Sequence, residues 1–275
     1  MFADALASGI GSIVYTLYVV AAVYIYASLI RQIRARPTAA QSTAEIEPAK
    51  MFGLPEALLA LALISFLLLN VFLAMSRTGR VELNDRDLLP NFLLSAVVVL
   101  FIAIFLRFRG FNLDSLGGFS GTSFLRAAST GVILLFFTYP LLGLIELIVQ
   151  LIFGSGSSKQ EIVDLFNGSQ TLQQRVMIIV LAVVVAPVAE EFIFRFFLYG
   201  VFKRYFGIAT GIFLNAILFA AVHNHLPSFA PLFVLAACLT LAYEWSGSLL
   251  VSMTMHSLFN SLQLIVLAFP QLVRQ

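Results

Sequence analysis

Eight apolar runs of about 18 residues or more divide this chain, and a run of that length can cross hydrocarbon only as a helix, because no water is present there to satisfy an open backbone. They lie at 10–30, 55–74, 88–106, 127–153, 174–202, 207–223, 229–245 and 248–269. The composition agrees, with 60% hydrophobic residues, only 11% charged residues and a mean hydropathy of +0.98. The expected fold is therefore an all-α polytopic transmembrane helix bundle of about eight spans. Residues 1–173 read as N-terminal spans and loops, and 174–275 as a second unit whose spans enclose an intramembrane polar cavity. The first apolar run is too long for a signal peptide and lacks a basic segment before it, so it reads as a retained anchor. No soluble domain and no internal repeat is visible, and a short amphipathic piece is expected at 162–166, in the connector between the fourth and fifth runs.

Orientation follows from Lys and Arg, which favour cytoplasmic loops. With the N-terminus outside, the inner loops hold nine: Arg31, Arg34, Arg36, Lys50, Arg107, Arg109, Arg126, Lys203 and Arg204. The outer side holds six: Arg77, Arg80, Arg86, Lys159, Arg175 and Arg274. Basic residues spread over short loops, with a formal charge of only +2, exclude a nucleic-acid partner. The partners expected are the lipid bilayer and a membrane-associated peptide or protein substrate, in a multi-pass cell membrane of bacterial inner-membrane type.

The informative residues are those that hydrocarbon should reject. Glu190, Glu191 and Arg195 fall inside the run at 174–202, His223 ends the sixth run, and His256 and Asn260 fall in the eighth. Charged groups at bilayer depth are costly to insert and mark a bundle interior or a wet cavity. Glu191 and Arg195 are four residues apart, acid before base, and can neutralise each other on one helix face. Glu190 is turned about 100° from Glu191 and is left for other work. Pro187 removes a backbone donor just before the acidic pair and bends the helix. At about 1.5 Å per residue, Glu190 lies roughly 18 Å, His223 roughly 24 Å and His256 roughly 12 Å from the inner ends of their spans, so the three can meet near the bilayer centre.

Other polar residues carry less. Asn70 and Asn215 read as hydrogen-bond donors between helices, Glu146 and Glu244 as interfacial groups near span ends, His225 as a surface residue and Cys238 as a small packing residue. Gly207 and Gly211 form a GxxxG, which signals close helix packing. The chain has no HExxH, no GxSxG and no paired-aspartate signature, so zincin, serine and aspartyl peptidase chemistry lack residues to carry them.

These residues resemble the CPBP family of intramembrane proteases, also called the CAAX protease and bacteriocin-processing or Abi family. Its EExxxR motif matches Glu190, Glu191 and Arg195, with Pro187 ahead of it. Its FxxxH motif matches Phe219 and His223, and its HxxxN motif matches His256 and Asn260. The resemblance covers roughly residues 174–263. It implies a helical intramembrane peptidase, of a family whose eukaryotic members trim prenylated CAAX proteins, with Glu190, Glu191, His223, His256 and Asn260 catalytic and Arg195, Pro187 and Phe219 in support. By that carry-over Glu190 with His223 activates a water, and His256 with Asn260 binds the oxyanion. No cofactor is favoured. A zinc held by Glu190, His223 and His256 would also suit this residue set, but Asn260 is a poor zinc ligand and a natural oxyanion donor, which favours the metal-independent version. The competing class is a non-enzymatic membrane protein, either an immunity-type factor or a proton-coupled carrier that uses the same groups as a relay. A carrier more often shows broken helices in paired repeats, whereas here the polar groups crowd into the last third of the chain.

Overall fold

The computed structural model describes residues 2–36, 51–76, 85–154 and 171–269. The connector at 155–170, with the amphipathic piece expected in it, lies outside the described residues. Every regular element among the described residues is a helix. Three long helices open the chain, α1 (Phe2–Arg34), α2 (Leu54–Ser76) and α3 (Asp85–Phe108), followed by the short α4 (Leu113–Gly117) and the long α5 (Phe124–Phe153). The next helical stretch changes pitch repeatedly: α6 (Leu172–Val180), a π turn (Leu181–Val185), α7 (Ala186–Glu191), a second π turn (Phe192–Leu198) and α8 (Tyr199–Val222). A 3-10 turn (Leu226–Ser228) leads to α9 (Phe229–Ser246) and α10 (Leu249–Ala268).

Six helical segments are long and apolar enough to cross a membrane, with a shorter apolar helix at Phe92–Phe108. One of the six, Leu172–Val222, contains two of the expected spans. They join at Gly207, whose φ of 80° and ψ of 173° fall in a region essentially closed to residues with a Cβ. Of the GxxxG pair, only Gly211 makes a close approach. A Cβ at Gly207 would meet nothing within 4 Å, so this glycine bends the chain, while Gly211 lets the turn fold back on Phe202 and Lys203. Outward faces carry large apolar side chains such as Leu61, Phe72, Phe101, Ile133 and Phe213, as a multi-pass membrane protein requires.

Two prolines inside the spans are compensated from neighbouring helices. Pro140 in α5 has no N–H to offer the Phe136 carbonyl, and the Tyr18 hydroxyl of α1 donates to it instead. Nearby, Tyr15 bonds the Pro140 carbonyl at 3.1 Å, and the buried Tyr26 hydroxyl lies 2.6 Å from Thr138. These contacts hold α1 along α5, whose other side carries α10.

Close approach of α5 to α10 rests on Gly131. A Cβ there would sit 2.9 Å from the Thr254 side chain and 3.0 Å from the Val251 carbonyl. Gly131→Ala is therefore expected to cost about 1–3 kcal/mol through overpacking against backbone. Thermal melting of the purified protein in detergent checks this, and an unchanged midpoint would show that α10 yields without cost.

Asn70 and Asn215, alike in sequence, part company in the structure. Asn215 is buried in α8 and donates to Thr240 of α9 at 3.0 Å, as an interhelical amide should. Asn70 is exposed and bonds the Phe66 carbonyl of its own helix at 2.8 Å, so its expected role is corrected. Cys238 is buried, in keeping with packing.

Candidate active site

The two adjacent glutamates end α7 and both face His256, but they differ in burial and in their other partners. Glu191 has no exposed surface; its Oε1 accepts from Arg195 Nη1 at 2.8 Å and from His256 Nδ1 at 2.9 Å. Arg195, also wholly buried, stacks its guanidinium 4.3 Å from the centre of the Phe219 ring and reaches the Ala236 carbonyl at 3.5 Å. A buried charge is tolerable only when paired and hydrogen-bonded. Glu191 and Arg195 pair at the four-residue spacing visible in the sequence, through Oε1 and Nη1, while Glu191 Oε2 and Arg195 Nε have no hydrogen-bond partner among the described residues.

Glu190 is not spent in this way. Its side chain is 30% exposed, its Oε2 lies 3.8 Å from His256 Nε2, and that oxygen is a buried acceptor with no hydrogen-bond partner among the described residues. A distance of 3.8 Å is too long for a hydrogen bond. An unsatisfied buried carboxylate oxygen calls for an explanation, and catalytic use is one of the few available.

Each imidazole is fixed through Nδ1. A carboxylate can only accept, so His256 donates its Nδ1 proton to Glu191 and turns Nε2 toward Glu190. His223 Nδ1 lies 2.7 Å from the Phe219 carbonyl and donates to it, leaving Nε2 free of that bond. His223 is the cap of α8, and Asn224, at a φ of 48°, ends the helix there, in a left-handed conformation that Asn tolerates better than most residues. The Phe219 ring is the hub: His223 lies 4.7 Å and His256 5.8 Å away between ring centres, with Arg195 against its face.

Asn260 is held by the consequence of Pro187. In the π turn that precedes it, Ala186 N–H bonds the Leu181 carbonyl, five residues back. In the same register Pro187 would serve Ala182, but it has no N–H. The Asn260 amide donates to that orphaned Ala182 carbonyl at 2.8 Å. A π turn just ahead of the acidic pair and another just after it are the kind of irregularity that functional sites retain.

The sequence-derived site residues Glu190, Glu191, Arg195, Phe219, His223, His256, Asn260 and Pro187 thus gather on the stretch from α6 to α8 and on α10. The contacts among them differ from the expected pairing. The histidine beside Glu190 is His256, whereas no hydrogen bond or ion pair joins Glu190 to His223 among the described residues. Within those residues no three His, Cys, Asp or Glu side chains converge as a metal ion would need. The donor arrangement of Glu190, His223 and His256 does not fit zinc as it stands. Two contributors were not read from the sequence. Ala182 acts through its backbone and leaves no mark in residue type, while Ala236 does so on another helix.

Residues 172–262 match the family model described as Type II CAAX prenyl endopeptidase Rce1-like. Comparison with curated proteins and with solved structures returns no significant match.

Proposed function

We propose, from the match of residues 172–262 to the CAAX-type endopeptidase family model, that this chain is an intramembrane endopeptidase whose water-activating base is Glu190. The observation that carries this reading is the division between the two glutamates: Glu191 is wholly buried and tied through Oε1 to Arg195 and His256, whereas Glu190 is part-exposed, is tied to no cation by a hydrogen bond among the described residues, and turns Oε2 toward His256.

The residues divide the work as follows. Glu190 takes a proton from a water as its oxygen attacks the scissile carbonyl, while His223 Nε2 accepts from the same water and orients it. The oxyanion that forms accepts from the second N–H of Asn260, the first being held by Ala182, and from His256 Nε2 when that nitrogen carries a proton. The proton on Glu190 then passes to the leaving amine, the carbonyl re-forms, and Glu190 returns to carboxylate. Glu191 and Arg195 act through His256, fixing the ring so that only Nε2 meets the reacting group. The substrate class is a membrane-associated peptide, with the prenylated C-terminal CAAX segment named by the family as the first to try.

The reading is tested with the purified full chain and a farnesylated peptide, by mass spectrometry of the released C-terminal fragment. Asn260→Ala is expected to lower turnover about 10²–10³-fold, as for loss of one oxyanion donor, with KM little changed because the contact is made in the transition state. Wild-type turnover in this variant would remove the amide from the reaction.

A further inference from the structure

A cavity of about 590 Å³ lies away from the catalytic groups, and none of Glu190, Glu191, His223, His256 and Asn260 lines it. Its walls come from Arg36 after α1, Phe52 before α2, Leu116 of α4, Phe196 of the second π turn, Lys203 and Arg204 of α8, and Glu244 of α9. The basic wall at Lys203 stands about 20 Å along the helical path from Glu190, and the apolar wall at Phe196 about 9 Å, so the cations lie at the far end of the cavity from the catalytic groups.

Its charge is positive. Among the described residues that line it, Arg36, Lys203 and Arg204 meet one carboxylate, Glu244, and that group is already committed. Both Glu244 oxygens lie 2.8 Å from Lys203 Nζ, and Oε2 accepts from Tyr199 at 3.0 Å. Arg36 bonds the Glu244 carbonyl at 2.9 Å and the Trp245 carbonyl, closing the C-terminal end of α9 and keeping further N–H groups in hand. Arg204 is exposed and has no hydrogen-bond or ion-pair partner among the described residues. Glu244, expected near a membrane interface, is nearly buried at the floor of this basic site.

The depth of the cavity points to the ligand. Trp245, the only Trp of the chain, and the exposed Tyr205 adjoin it, and aromatic residues of this kind collect at headgroup level. Arg36, Lys203 and Arg204 come from segments assigned to the cytoplasmic side by the Lys and Arg bias. Beside the cations, Met51, Phe52, Leu116 and Phe196 supply an apolar wall. Basic pockets between membrane helices on this side suit lipid headgroups. We propose that the cavity binds the phosphate of an anionic phospholipid, with Arg36, Lys203 and Arg204 as donors and the apolar wall against the glycerol and first acyl carbons.

The test counts bound lipid by native mass spectrometry on the purified full chain in neutral detergent, titrated with short-chain phosphatidylglycerol. Phosphatidylcholine of the same chain length, inorganic phosphate and a short peptide with a free C-terminal carboxylate serve as competitors. One phosphatidylglycerol is expected per chain, held at least about 10-fold more tightly than any competitor. Arg204→Gln, which breaks no hydrogen bond or ion pair among the described residues, is expected to weaken it about 5-fold, the contribution of one basic residue beside an anionic lipid headgroup. Equal retention by Arg204→Gln and wild type, no specific adduct, or displacement by inorganic phosphate or the peptide at equal concentration would each overturn the proposal. Because the readout is binding, the result is independent of whether the chain cleaves peptides.

Discussion

Glu190→Gln is expected to lower peptide turnover about 10²–10⁴-fold, the range that a positioned general base contributes, while the protein folds and melts as wild type does. The substitution keeps the volume and one carbonyl oxygen but removes the proton acceptor. Stability should hold because Glu190 makes no side-chain hydrogen bond among the described residues; its Oε2 stands 3.8 Å from His256 Nε2. Measuring kcat and the melting midpoint on the same preparation separates chemistry from folding. Retained cleavage by a folded variant would assign the base to another group, and His223 would be the first candidate.

The second large effect falls on stability. Arg195→Ala leaves the Glu191 carboxylate wholly buried with His256 as its remaining partner, and removes the cation from the face of Phe219. Breaking one side of a buried pair costs about 3–5 kcal/mol, enough to unfold a marginal bundle, so yield and melting midpoint should both fall. The double change Glu191→Gln with Arg195→Gln removes both charges at near-constant volume and should recover much of the yield. It should not recover activity, because His256 then loses the carboxylate that orients it. A double variant no more stable than Arg195→Ala would mean that the pair does not act as a unit.

The helices were legible in the sequence because lipid imposes a crude rule: long apolar runs must be helical, so their positions could be read without knowing their neighbours. Even the bend at Gly207 coincides with the start of the sixth run. The Glu191–Arg195 pair was legible too, since a four-residue spacing puts two side chains on one face whatever surrounds the helix. What stayed hidden depends on contacts between distant segments. Asn70 and Asn215 sit in similar apolar runs, and only the packing of α8 on α9 separates a buried interhelical bond from an exposed local one. The Asn260–Ala182 bond needs the π register as well as the missing donor of Pro187, and pitch is not encoded in spacing. The cavity at Arg36, Lys203, Arg204 and Glu244 draws on segments from both ends of the chain. No local motif announces it, and Glu244 alone looked like an interfacial acid.

The central claim is that Glu190 drives peptide hydrolysis in the membrane. It is tested most directly by mapping the peptide termini of the membrane proteome in cells lacking the gene, complemented with wild type or with Glu190→Gln at equal expression. The account predicts a set of new carboxyl termini that wild type restores and Glu190→Gln does not. The same termini in both complemented strains, or no terminus distinguishing wild type from the deletion, would contradict it.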